Sequence, residues 1–416
     1  MAKAAKWGST YKVLLDVGFL ADAFTLDSSL LDGADVLDGS TDFVDITEYV
    51  TNININRGRS TQLDTFPSSS CTIVADDRAA ERYFDPLNTA SEWYSGGTVG
   101  IAPRRAFQVY GGTAGTTAMF TGFVYDLNID YAEPNLSTAT IVSTDALGQL
   151  GQTNLTAFTP SSQLTSARVS AILDRPEVAF STALRNIETG VATCGTVAYE
   201  DATNVLSALN DVAIAEGGRL FVDRSGMVSF DARIESSFGT AVGSFGGTAG
   251  IPILSLSNVY GAETVVNRVA VQIDGGTASS IANGTASQTE YGIKALSLTG
   301  VPLASDAAGS ALAASLLARF EEPVVRFSEM DVLLGALTTA QQQTMAGLEI
   351  GDILEVSKTF SVGTPATVTQ NVVVESIRHS INPQRHTVTI GMGQVQLVLP
   401  FILDTSELDD TTYALQ

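Results

Sequence analysis

Residues 72–88, TIVADDRAAERYFDPLN, set four carboxylates, Asp76, Asp77, Glu81 and Asp85, beside Arg78 and Arg82. Carboxylates this close could divide the roles of acid and nucleophile in glycoside hydrolysis, or hold a hard cation. The same residues also make turns. Pro86 fixes its own φ and pushes Asp85 towards an extended conformation. Asp76-Asp77-Arg78 is polar and follows a strand that carries Cys71 and Ile73. The expectation is structural: turn-forming carboxylates paired with Arg78 and Arg82, not a catalytic dyad.

Other groups admit the same two readings. The chain has two histidines, His379 and His386. They flank the turn Asn382-Pro383-Gln384-Arg385, where a cross-strand pair could bind a metal. Two strand-end histidines facing solvent are the commoner arrangement, and that is the expectation. LDGADVLDGSTD (31–42) resembles a calcium loop, but from Asp38 the obligatory glycine position holds Phe43. Asp32-Gly33 and Asp38-Gly39 are therefore two turns, with an incidental Ca²⁺ or Mg²⁺ site the minority outcome. Cys71 and Cys194 form no CxxC zinc spacing and no disulfide framework. GxSxG, GxxxxGK, GxGxxG and HExxH are all missing. No catalytic, cofactor-binding or metal-ligating residue is assigned, and no cofactor is expected.

The elements that carry these residues are mostly strands. FVYDLNIDY puts Phe123, Tyr125, Leu127, Ile129 and Tyr131 on one face at period two, the mark of a half-buried antiparallel strand. NININRG alternates Ile53 and Ile55 with asparagine. Farther on, Val205, Leu206, Leu209, Val212 and Ala213 share one helical face within 201–216. Asp201 or Thr203 is the expected cap, and Gly217-Gly218 the stop. FSTALRNIETG (180–190) reads as a shorter helix, and RLFVDRSGMVSFDAR as a hairpin turning at Arg224-Ser225-Gly226. Residues 236–250 and 274–289 are nearly low-complexity and read as long flexible loops. Residues 304–322 form a helix stopped by Pro323, and strands return after it.

The fold class expected is a β-rich α+β protein, with two antiparallel β-barrel or sandwich domains and a smaller inserted α+β region. The divisions read from the sequence are 1–155, a β domain; 156–255, a helix–hairpin domain; 256–325, a strand, loops and a helix; 326–396, a second β-barrel region; and 397–416, an extended tail.

Composition narrows the function classes. Forty-five acidic against twenty-two basic residues give a net charge of −23, which opposes phosphate binding and argues against nucleic-acid recognition. No apolar run reaches membrane-spanning length, and no signal peptide is read at the N-terminus, so a soluble protein is expected.

The order of motifs is more telling than any one of them. Arg57-Gly58 ends a strand. CTIVADDRAAERYFDPLN, GIAPRRAFQVY, MFTGFVYDLNIDY and IVSTDALGQLG follow. This series resembles the N-terminal domain of minor tail proteins from long-tailed phages, particularly those of actinobacteria. Asp77, Arg78, Phe84, Asp85 and Pro86 match that family's first turn, with AAERY as an insertion. Pro103, Arg104 and Val109 fit the second motif, where Arg105 departs from the pattern, and Phe120 and Gly122 fit the third. AIAEGGRLFVDRSGMVSFDAR, SQTEYGIKALSL, ALAASLLARFEEPVVRF, LEIGDILEV, VESIRHSINPQRHTVTIGM and FILDTSELDDTTYAL resemble its later segments in order, so the likeness covers most of the chain.

The resemblance implies a structural virion protein of the tail tip, a baseplate hub with tail-tube-like β domains. Such a hub typically forms a homotrimer whose six barrels join the sixfold tube to the threefold tip, closing the tube and opening it for DNA ejection. Implied partners are the distal tail protein, the tape-measure protein and other tip or fibre proteins; DNA passes without specific binding. The implied location is the virion tail tip, after assembly in the host cytoplasm. The acidic balance then suggests an electronegative lumen. The alternatives are a hexameric distal tail ring, a tail-associated cell-wall hydrolase and a receptor-binding protein. A hydrolase is disfavoured because only about 20 residues follow the last barrel; Trp7 and Trp93 mark no sugar platform.

Overall fold

A computed structural model describes residues 11–18, 43–77, 81–91, 93–95, 98–132, 136–233, 240–261, 265–395, 399–400 and 413–414. Asp32, Asp38, Arg78, Trp7 and nearly all of the expected tail lie outside these. Most of the β structure belongs to one sheet of thirteen described strands. From one edge the order is Ser255–Val259, Arg326–Leu333, Arg385–Gln394, Thr367–Asn382, Val50–Gly58, Ser70–Asp76, Leu136–Thr144, Thr117–Ala132, Ala106–Gly111, Lys12–Asp16 and Phe43–Asp45. Ile353–Thr359 pairs with the first half of Thr367–Asn382, and Gly243–Gly246 joins it in parallel. The other pairings in this sheet are antiparallel, as the alternating strand patterns require.

The two expected β regions are thus one sheet, and the 16-residue strand Thr367–Asn382 is the joint. Thr367–Val373 pairs with Ile353–Thr359 and packs into the C-terminal core, beside Phe245, Met330 and Ile390. Ser376–Ile381 pairs with Val50–Gly58 instead, and Ile381 enters the N-terminal core with Val13, Ile53, Phe107 and Phe120. A bulge between Val374 and Ser376 separates the halves. It leaves Glu375 buried at the changeover, where its carbonyl accepts from the Arg59 amide at 2.9 Å. Gly58 crosses this point at φ +100°, and a Cβ there would lie 2.1 Å from the Glu375 oxygen. Only glycine fits such an approach with that backbone.

A second bulge changes the reading of FVYDLNIDY. It falls between Val124 and Asp126 and shifts the alternation by one residue. Phe120 and Val124 point inwards before it, and Leu127 and Ile129 pack on the core after it. Tyr125 and Tyr131 are left 57% and 60% exposed.

The inserted region carries two more apolar clusters. Helices Thr165–Leu173 and Val205–Glu216 pack with the hairpin Arg219–Val222/Val228–Asp231. Asn204 caps the second helix, in place of the expected Asp201 or Thr203. Its side chain accepts from the Ser207 amide, and Gly217 closes the helix in the left-handed conformation. The segment 180–190 is not a helix: a single 3₁₀ turn, Thr182–Leu184, leads into strand Arg185–Ile187, because that strand pairs in parallel with Val228–Asp231. Helix Asp306–Phe320 covers the three-stranded sheet of Arg268–Ile273, Ser280–Asn283 and Ala295–Val301.

The stretches expected as flexible loops are partly ordered. Gly243–Gly246 is a strand; so is Ser280–Asn283, followed by helix Thr285–Tyr291. Pairing with long-range neighbours overrides their weak local preference. No helix of the described residues is long and apolar enough to cross a membrane.

Candidate functional site

The carboxylate stretch folds as a locked turn. Asp77 is fully buried. Its Oδ1 accepts from the Phe84 amide at 3.2 Å and its Oδ2 from the Ser137 hydroxyl at 3.1 Å. Burial raises its pKa. Burial also acts on Asp85, but there the Arg82 guanidinium, the Leu87 amide and the Tyr131 hydroxyl outweigh it and hold the carboxyl below its ordinary range. Glu81 and Arg82 adopt left-handed backbone, φ 51° and 63°, while the Arg82 amide donates to the Asp77 carbonyl at 2.7 Å. The product is an anchor for Phe84, packed edge-on against Tyr49 and Trp93. The oxygens of Asp77 and Asp85 accept from turn amides, the Ser137 hydroxyl and Arg82.

The histidines depart from expectation. His379 and His386 are both buried and share a hydrogen bond of 3.0 Å, Nδ1 to Nε2. The Tyr11 hydroxyl bonds to Nδ1 of His386. They lie opposite neighbouring partners on the hairpin, where His386 pairs with Ile381 and His379 with Val388. That hairpin faces the N-terminal strand rather than water. Burial lowers both pKa values, that of His386 to about 3, so both rings are neutral. The trio ties the start of the first described strand to the last hairpin. Among the described residues, no group of three His, Cys, Asp or Glu side chains could hold a metal ion. Cys71 and Cys194 are buried free thiols, and burial pushes Cys194 up to about 11.

The sites that draw the chain together contain arginine, and sequence reasoning missed them. Arg57 is buried; it pairs with Glu349 and donates to the Val222 carbonyl at 3.3 Å. The second Glu349 oxygen accepts from the Arg224 amide at 2.8 Å. One carboxylate therefore links the N-terminal strands, the helix–hairpin unit and the C-terminal β region. Arg59 donates through Nε to Glu375 at 2.7 Å, and Gln62 donates to the other Glu375 oxygen at 2.9 Å. These partners are about three hundred residues apart, and no local pattern announces them.

Beside this junction opens a cleft of about 200 Å³. Arg59, Arg219, Arg233 and Arg319 line it, with Asp64 the one carboxylate in its wall. Arg219 pairs with Asp231 at 3.0 Å. The remaining wall is largely aliphatic and aromatic, contributed by the C-terminal turns of helices Val205–Glu216 and Asp306–Phe320, by strand Ala295–Val301 and by Phe66.

No family model matches the chain, and no curated protein matches it. Solved structures do. The tail protein of Neisseria meningitidis MC58 superposes with a TM-score of 0.57 at 11% identity, over 93% of this chain and 97% of that one. The 43 kDa tail protein of prophage MuSo2 from Shewanella oneidensis gives 0.54 at 13% identity, over 92% and 97%. The chain has the β-rich fold of these tail proteins along nearly its whole length.

Proposed function

We propose that this chain is a structural subunit of a phage-type tail, and specifically the hub at its tip. The observation that carries the reading is the likeness of fold over 93% of this chain and 97% of a tail protein, so that the whole architecture is shared rather than one module. The sequence motifs lead to the same place from separate evidence. The joined sheet adds a physical reason. Two β cores fused through Thr367–Asn382 and pinned by Arg57–Glu349 form a stiff unit with a fixed spacing, suited to presenting two tube-like faces to neighbours.

In this reading three copies form a ring of six β units, matching a sixfold tube above and a threefold tip below. The ring contacts the distal tail protein, the tape-measure protein and tip or fibre proteins; it closes the tube and opens for DNA ejection. Exposed apolar groups supply contact surface: Tyr125 and Tyr131 on the Thr117–Ala132 arm, and Val362, 83% exposed, beyond Ile353–Thr359. The net charge of −23 gives a lumen that repels DNA rather than binding it. No enzymatic role is proposed: Asp77 and Asp85 are held in the turn and the histidines in a buried network.

The test is the mass of the purified protein in solution together with its place in intact virions. Three copies in a ring at the tail tip is the expected result. Six copies would favour a distal tail ring. A monomer absent from virions would overturn the tail reading. A neutral or basic lumen in the assembled ring would remove the charge argument alone.

A further inference from the structure

The arginine-lined cleft is unexplained by anything above. The chain is strongly acidic, with twenty-two basic residues in 416. Four of them surround one cavity of about 200 Å³ that holds a single wall carboxylate. Arg59 is backed by Glu375 and Arg219 by Asp231. Arg319 stands on the last turn of helix Asp306–Phe320, and its buried Nε has no hydrogen-bond partner among the described residues. A buried guanidinium N–H left unmatched costs more than an exposed one. The site is strained electrostatically as well: burial lowers the Arg319 pKa, and neighbouring Arg59 and Arg219 lower it further against the pull of Glu375. A carboxylate entering the cleft beside Arg319 would relieve that repulsion.

The rest of the wall sets the size and character of the ligand. Phe66, Leu296, Leu298 and Leu316 supply an apolar surface facing the arginines. Pockets for cofactor-sized molecules span about 300–1,000 Å³. A cavity of about 200 Å³ is too small for one, but has room for one acidic and one apolar side chain held on an extended peptide.

We propose that the cleft is a docking site for a partner protein segment that carries a carboxylate next to a bulky apolar side chain, with Arg319 as the residue that reads the carboxylate. The cleft is lined from all four of the divisions between residues 1 and 396, so an occupied cleft would bind them together. This inference does not depend on the tail reading.

The experiment uses the full chain and two synthetic peptides. One is acetyl-Leu-Glu-Leu-Asp-Leu-amide; the other replaces its acids with Gln and Asn. Saturable binding of the acidic peptide is expected by NMR or calorimetry, at least tenfold tighter than the amide peptide. Arg319→Gln should weaken it at least tenfold with a melting temperature no lower than that of wild type, as fits a hydrogen bond to a charged group. Leu298→Ala should weaken it severalfold through the apolar wall. Raising salt from about 50 to 500 mM should also weaken wild-type binding, which needs no variant to fold. Equal affinity for both peptides, insensitivity to Arg319→Gln in a folded variant, or no saturable binding at millimolar peptide would each overturn the proposal. Displacement by free acetate at the same concentration as peptide would also overturn it, since the site would then read a simple anion.

Discussion

Acid should loosen this protein through His386, and the size of the effect follows from its surroundings. In the folded chain the ring is buried between Tyr11 and His379, and its pKa falls from 6.5 to about 3. Once unfolded, it regains its ordinary value. A depressed histidine pKa means that the unfolded chain binds the proton first. The stability is complete above about pH 6.5 and is lost as pH falls towards 3. Each pH unit in that window costs about 1.36 kcal/mol, so moving from pH 7.5 to 5.0 should remove about 2 kcal/mol through His386 alone. His379 is shifted in the same direction by burial and by His386. Buried carboxylates with raised pKa values, such as Asp77 and Asp145, work oppositely and gain native protons as pH falls. The clean measurement is therefore a difference. His386→Gln keeps an amide able to bridge Tyr11 and His379 but removes the titration. The variant should be less stable than wild type at pH 7.5, and the gap should shrink by about 2 kcal/mol at pH 5.0, read from urea midpoints of the transition that reports the N-terminal core. A gap that stays constant across this range would refute the reasoning.

Three further outcomes test the architecture and the assembly. Gly58→Ala places a Cβ 2.1 Å from the Glu375 oxygen at a φ of +100°; it should cost about 1–3 kcal/mol from backbone strain or more, visible as a lower melting temperature. Glu349→Gln leaves buried Arg57 without its countercharge. A loss of about 3 kcal/mol is expected, and calorimetry should show the two β cores melting apart; a single unchanged transition would mean that the junction does not couple them. Tyr125→Asp and Val362→Asp change exposed groups. Both should leave the melting temperature within about 2 °C, as surface changes usually do, yet weaken self-association in ultracentrifugation. Full assembly by both would remove those surfaces from the proposed interface.

Much of the local structure could be read from residue order. The alternation in NININRG, the helix before Gly217 and the hairpin at Arg224-Ser225-Gly226 all follow from period and turn chemistry, which act over a few residues. Asp85 is legible as a turn former because Pro86 and Arg82 act on it locally, whereas Asp77 also needs the distant Ser137 hydroxyl. What the sequence by itself determined was this set of elements, the acidic surface and a motif order like that of tail proteins. Only the tertiary structure decided which elements share a core. It placed His379 and His386 in the interior, because a strand from the opposite end of the chain covers their hairpin. It broke the single face of FVYDLNIDY with one inserted residue, turned part of the low-complexity stretches into strands, and made two β regions a single sheet. It also gathered Arg59, Arg219, Arg233 and Arg319 around one cleft. Each of these outcomes depends on contacts between residues far apart in the chain, where local propensity carries no information and burial and pairing set the free energy.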